Sequence, residues 1–187
     1  MSGPSGLPAR SLGKTNLVDE EDLVMARGVV YVHSTPAALA PHAEWAVMGV
    51  LGADSGISWQ PQPAAPGTLR CDFTWTGEPG TGARLASAFR GWPKIRFEVT
   101  EDPSPGYEGE RFASTPALGL YRAVTGVNGD ILVGEDRLRA AVARAIAEGT
   151  DVALEIERLL GQPWDEELEP FRRAGEGAPV RVLHQVV

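Results

Sequence analysis

Apolar and polar residues alternate in several short runs, and each run reads as a strand with one face buried. Val29-Val30-Tyr31-Val32 is β-branched and aromatic and predicts a first strand, ended by Ser34-Thr35-Pro36. Ile57 and Trp59 alternate with Ser58 and Gln60 as a second strand, and the proline-rich stretch 60–67 follows as a loop. Leu69, Cys71, Phe73 and Trp75 make a third strand, and Ile95, Phe97 and Val99 a fourth. Two helical patterns interrupt them. Pro41 suits a first helical turn, so a helix is expected from Pro41 to Leu51, with Trp45, Met48 and Leu51 on one face. Leu85, Ala88, Phe89 and Trp92 stand at i, i+3, i+4 and i+7 and predict a second helix that Pro93 ends.

The resulting order is β-α-β-β-α-β. It predicts an α+β fold with a ferredoxin-like core over about residues 28–102, an antiparallel sheet and both helices on one face. An extension over about 107–187 follows. Glu110 to Ser114 and Leu118 to Thr125 predict a hairpin, and Ile131 to Val133 a short strand. Leu138, Ala141, Val142, Ala145 and Ile146 mark an amphipathic helix. Thr150 is placed to cap the next one, whose face is Val152, Ile156, Leu159 and Leu160. Pro163 to Arg173 predicts a short helix bent at Pro170, and Val180, Val182, His184 and Val186 alternate as a last strand. The extra hairpin and helices are expected to cover the open face of the core sheet.

Residues 1–24 carry no sustained period. They read as a flexible leader ahead of a single domain over 25–187, with a like-charge block at Asp19-Glu20-Glu21-Asp22. Met25 directly precedes the first strand and reads as an alternative translation start. An acidic interaction tail is the other reading.

The chain has 187 residues, enough for one well-buried core. Its 25 acidic residues outnumber 17 Lys and Arg, for a net charge of −8. That balance argues against a nucleic-acid partner, which needs a basic stripe to displace counterions. A single cysteine, Cys71, excludes an intrachain disulfide and a cysteine zinc cluster; it sits on the apolar side of its strand, where a thiol is expected to be inert. No apolar run has the length of a membrane span, and the first residues lack an apolar signal core, so a cytoplasmic protein is expected.

The segments Tyr31-Val32-His33-Ser34, Pro41-His42-Ala43-Glu44-Trp45, Gly80-Thr81-Gly82-Ala83-Arg84-Leu85, Phe97-Glu98-Val99-Thr100-Glu101-Asp102 and Leu183-His184-Gln185 resemble an actinobacterial protein family, domain of unknown function 3145. The resemblance runs from about Arg27 to the end. It implies an actinobacterial source, a cytoplasmic location and an association with fatty-acid synthesis. It brings no catalytic residues to this chain.

Four constellations carry candidate chemistry. The first is the loop from Gly77 to Arg84, between a strand and a helix. Amides at a helix start attract anions, glycines admit a ligand to the backbone, and Arg84 adds a charged fork, so Gly80, Thr81, Gly82 and Arg84 are candidate ligand-binding residues. The loop lacks the Lys-Ser/Thr of a phosphate-binding loop and the third Gly of a dinucleotide fingerprint, and its simpler reading is a tight turn with Thr81 near the cap. The second is His42-Ala43-Glu44, whose spacing does not share a helix face; no metal and no cofactor are expected. The third is His33 with His184. On neighbouring strands they are candidates for acid–base work, oriented by Glu98 or Glu101, although strand histidines are commonly structural. The fourth is a possible partner surface. Trp59 and Trp164 adjoin proline segments and are candidates for an exposed aromatic patch, whereas Trp45, Trp75 and Trp92 fall on core faces. Arg137, Arg139, Arg144 and Arg158 supply a basic patch on an acidic chain.

No complete catalytic motif is present in this pattern. The expectation is a non-catalytic binding or regulatory module whose protein partner is an enzyme or carrier of acyl-chain metabolism, with a homo-oligomer as a further possibility. The alternative is an enzyme on a small phosphorylated or thioester substrate, with the Gly80–Arg84 loop holding the anion and His33 or His184 as base.

Overall fold

A computed structural model of the chain describes residues 24–52 and 56–174. The expected leader up to residue 23 and the expected last strand with His184 lie outside the described residues. The fold is α+β. Among the described residues seven strands form one antiparallel sheet in the order β2-β3-β1-β4-β5-β6-β7. The strands are β1 (Ala26–Pro36), β2 (Gln60–Pro61), β3 (Thr68–Gly77), β4 (Arg96–Glu101), β5 (Gly109–Thr115), β6 (Gly119–Thr125) and β7 (Ile131–Leu132). The helices are α1 (Ala40–Leu51), α2 (Thr81–Phe89), α3 (Glu135–Glu148), α4 (Val152–Leu160) and α5 (Gln162–Arg173).

The first core follows from the alternation. Val30 and Val32 of β1, Cys71, Phe73 and Trp75 of β3, Phe97 and Val99 of β4, and Phe112 of β5 point to one face. Leu85, Ala86 and Phe89 of α2 and Ala43 and Val47 of α1 cover it. The helix-facing choice on α1 differs from the expected one: Trp45 is 63% exposed and Met48 40%, while Ala40, Ala43 and Val47 are buried. Small side chains let α1 approach its neighbour α2 closely, and that contact outweighs the larger residues on the other stripe.

The opposite face is covered by α5. Trp164 and Leu168 pack on Ala113 of β5 and on Tyr121 and Ala123 of β6, which forms a second core. The expected hairpin exists as β5–β6, but it continues the sheet beyond β4 and covers no face. Helix α5 begins one residue before the expected Pro163, ends at the expected Arg173 and contains Pro170.

Three local expectations are corrected. Ser34-Thr35-Pro36 does not end β1; the strand runs on through a bulge after Val32, which leaves the His33 carbonyl free to accept from Gln62 Nε2 at 2.7 Å. The second strand is not at Ile57–Trp59 but at Gln60–Pro61, at the sheet edge, where proline is tolerated. Asp151, not Thr150, caps α4, accepting from the Ala153 amide at 2.9 Å.

The outermost strands are two residues long. Beyond them, Cys71–Gly77 of β3 and Gly119–Ala123 of β6 have no ladder partner on their outer sides among the described residues.

Candidate functional site

The glycine loop binds a carboxylate of its own chain. Gly80 caps α2, and its amide donates to Glu101 Oε1 at 2.7 Å; the Gly82 amide donates to Oε2 at 2.8 Å. Glu101 comes from the end of β4 and is buried. A Cβ at Gly82 would lie 3.0 Å from Glu101 Oε2, so the glycine leaves room for the carboxylate. The amides at this helix start hold an internal anion, the Glu101 carboxylate. The Arg84 guanidinium donates to Thr81 Oγ1 at 2.6 Å. Thr81 is itself buried in the first turn.

On the other face of the sheet, charged groups converge beneath α5. His33 Nε2 donates to Glu98 Oε2 at 2.7 Å. Arg172 grips both oxygens of Glu98, at 2.9 and 2.6 Å, and Arg111 donates to Oε1 at 2.8 Å. Asp165 accepts from Arg111 and, at 2.7 Å, from Arg172. Burial alone would raise the Glu98 pKa, yet the hydrogen bonds from His33 and Arg172 hold its carboxyl well below the usual range. The two carboxylates raise the pKa of both guanidinium groups despite their burial. Glu98 is thus the expected orienting acid for His33, while Arg111, Asp165 and Arg172 were missed. Arg111 and Arg172 reach Glu98 across 13 and 74 residues and Asp165 meets Arg111 across 54, and no spacing rule groups residues from two strands and a distant helix.

Glu98 and Glu101 are three residues apart on one strand, so they point to opposite faces. The Gly80–Arg84 loop and His33 follow them. Among the described residues these groups share no pocket. His184 lies outside the described residues. Cys71 is buried beside Asp72, and burial pushes its thiol up to about 12, far from a reactive thiolate. His42 is exposed and meets the Trp45 ring edge-on, while Glu44 turns away to accept from Trp59 Nε1 at 2.6 Å.

The expected aromatic patch does not form. Trp164 is buried at 7% exposure, with its Nε1 donating to the Gly119 carbonyl at 2.9 Å. Trp59 is half-buried against the first core. Its mate in an exposed pair is therefore in the opposite core, because α5 turns its apolar stripe onto the sheet.

The arginines give a different picture. A cleft of about 380 Å³ opens between β6, α3 and α4. Arg122, Arg137, Arg144 and Arg158 line it, and Tyr121 and Trp164 lie at its apolar floor. Positions 137, 140, 141 and 144 share one stripe of α3. Arg139 is off that stripe and pairs with Glu135 on the exposed side, so it is not part of the cleft. Arg122 and Arg144 are steadied by Glu110 and Glu155. Arg137 and Arg158 have no ion-pair partner among the described residues. Arg122 lies 15 residues before Arg137, on strand β6, so no helical stripe groups it with the others.

No helix among the described residues is long and apolar enough to cross a membrane. Residues 29–185 match a family described as a protein of unknown function (DUF3145), and the chain belongs to that family. No curated protein and no solved structure matches the chain.

Proposed function

We propose that this member of the DUF3145 family is a small cytoplasmic, non-catalytic binding or regulatory module. Its partner is a protein, an enzyme or carrier of acyl-chain metabolism. The observation that carries the reading is that the candidate reactive groups among the described residues are spent on the fold. The loop amides of Gly80 and Gly82 hold Glu101, and His33 is locked to Glu98 beneath α5. An enzyme using the loop for an anion and His33 as base needs the two in one pocket, and the sheet stands between them. The arginine cleft supports the choice from the other side, since it places a basic surface on an acidic protein where an acidic partner would meet it. The strand order β2-β3-β1-β4, with α1 and α2 in the two connections, supports a ferredoxin-like reading of the first half.

The test is affinity purification of the tagged full chain from a lysate of its source organism. A stoichiometric enzyme or carrier of acyl-chain metabolism is the expected result. Charge reversal at Arg137 should release it, and reversal at Arg139 should not. Recovery of the chain alone would overturn the reading.

A further inference from the structure

The arginine cleft has a shape that says how a partner enters it. Strand β7 pairs with β6 only at Val124 and Thr125. After Leu132 the chain leaves the sheet for Gly134 and α3. Among the described residues no strand pairs with the outer edge of β6 from Gly119 to Ala123, where the Gly119 carbonyl accepts from Trp164 Nε1, while β5 pairs the whole inner edge. Successive residues of a strand point to opposite faces. Tyr121 points to the α5 face, and Leu120 and Arg122 point to the other, where Arg122 lies over the Phe112 ring. All three line the cleft. A cleft lined from both faces of one strand runs along the edge of that strand, not across a face. Its far wall is α3 and α4, with Arg137, Arg144 and Arg158.

We infer that this cleft takes an extended acidic segment of a protein partner, which adds to β6 as a further strand in line with β7. The inference rests on the binding function proposed above and names the chemistry of the partner at that site. Main-chain amides and carbonyls of the segment pair with the free edge, which is the general mode of strand addition. Carboxylates on alternate residues meet Arg137 and Arg158, the two cleft guanidinium groups without an ion-pair partner among the described residues, with Arg122 and Arg144 preset by Glu110 and Glu155. Apolar residues between them rest on the Tyr121–Trp164 pair at the floor, whose rings stand 5.0 Å apart. The outer edge of β3 is also open among the described residues, but its free stretch Cys71–Gly77 carries Asp72 and no lysine or arginine. That stretch offers an acidic strand no cationic partner.

The probe is a fluorescein-labelled eight-residue peptide alternating glutamate and valine, titrated into the full chain at low salt and followed by anisotropy. Three comparisons decide the outcome. The double variant Arg137→Glu/Arg158→Glu should bind at least tenfold more weakly, and Arg139→Glu should stay within twofold of the parent. The same peptide with N-methylated amides on one edge should lose at least tenfold, a loss that charge attraction alone would not produce. Absence of binding up to 1 mM peptide, equal binding to the double variant, or equal binding of the methylated peptide would each overturn the inference. A partner that co-purifies with the chain and is unaffected by the double variant would overturn this docking mode while leaving the binding function standing.

Discussion

Glu98 concentrates more of the fold into one side chain than any neighbour. It takes hydrogen bonds from β1 through His33, from β5 through Arg111 and from α5 through Arg172. Burying a carboxylate costs several kcal/mol, which its partners offset only while all are present. Replacing it by glutamine leaves the Arg111 and Arg172 guanidinium groups sharing Asp165, with Glu169 at 3.6 Å from Arg172 as the one further acid among the described residues. Glu98→Gln should therefore lower stability at pH 7 by about 3–5 kcal/mol in urea denaturation. The pH dependence has a definite sign. The folded pKa of Glu98 lies below its unfolded value, so its contribution is complete above about pH 4.3 and is lost as pH falls through the lower folded value. Wild type should lose stability steeply on that acid limb, and Glu98→Gln should flatten it. An unchanged acid limb in the variant would assign the loss to another carboxylate. The pairing of His33 with an acid on the fourth strand was legible because both strands were legible. The arginines were not, since ion pairs between strands and a distant helix leave no local period.

Strands β3, β4, β5 and β6 and helix α2 fall within a few residues of their expected positions, because a period of 2 or 3.6 and a nearby Pro or Gly define each of them. What the periodicity does not contain is which stripe faces inward when two are apolar. On α1 the aromatic stripe lost to the alanine stripe, and on α3 Ile146 is 73% exposed while Ala141 and Ala145 are buried. Edges were equally hidden, since a two-residue strand such as β7 leaves no alternation to read. The junction of α4 and α5 is set by another local rule, backbone handedness. Gly161 ends α4 and begins α5 at φ +85, and a Cβ there would lie 2.7 Å from the Tyr121 ring. Gly149 ends α3 at φ +67 with open space around it. Gly149→Ala should cost only the left-handed conformation, about 1 kcal/mol. Gly161→Ala adds a clash in the second core and should cost about 1–3 kcal/mol more. Thermal melts of the two variants measure the difference; equal losses would mean that Tyr121 yields freely.

One sheet serves two cores, so neither face can open without the other. Val30, Phe97 and Val99 are fully buried on the first face, and Leu168 on the second. The charged cluster around Glu98 ties α5 to β1 and β5 across the middle strands. The α3–α4 pair stands outside this arrangement. Helix α3 buries only Ala141 and Ala145, α4 buries no residue, and Leu154 is 61% exposed. Stability is unevenly distributed in such a molecule, and segments with few buried apolar contacts open first. The cleft wall that carries Arg137, Arg144 and Arg158 belongs to this less secured part, which lets it adjust to an incoming strand without disturbing either core. Native-state hydrogen exchange should show this directly. Amides of β1 and β4 should exchange only through global unfolding, whereas those of α4 should exchange through local opening with a much smaller free energy. Adding the glutamate–valine peptide should slow exchange in α3, α4 and the Gly119–Ala123 stretch of β6, and leave β1 and β4 unchanged. Protection of α4 equal to that of β1 in the free chain would show that the helical wall is as rigid as the sheet, and the adjustable-wall account would be wrong.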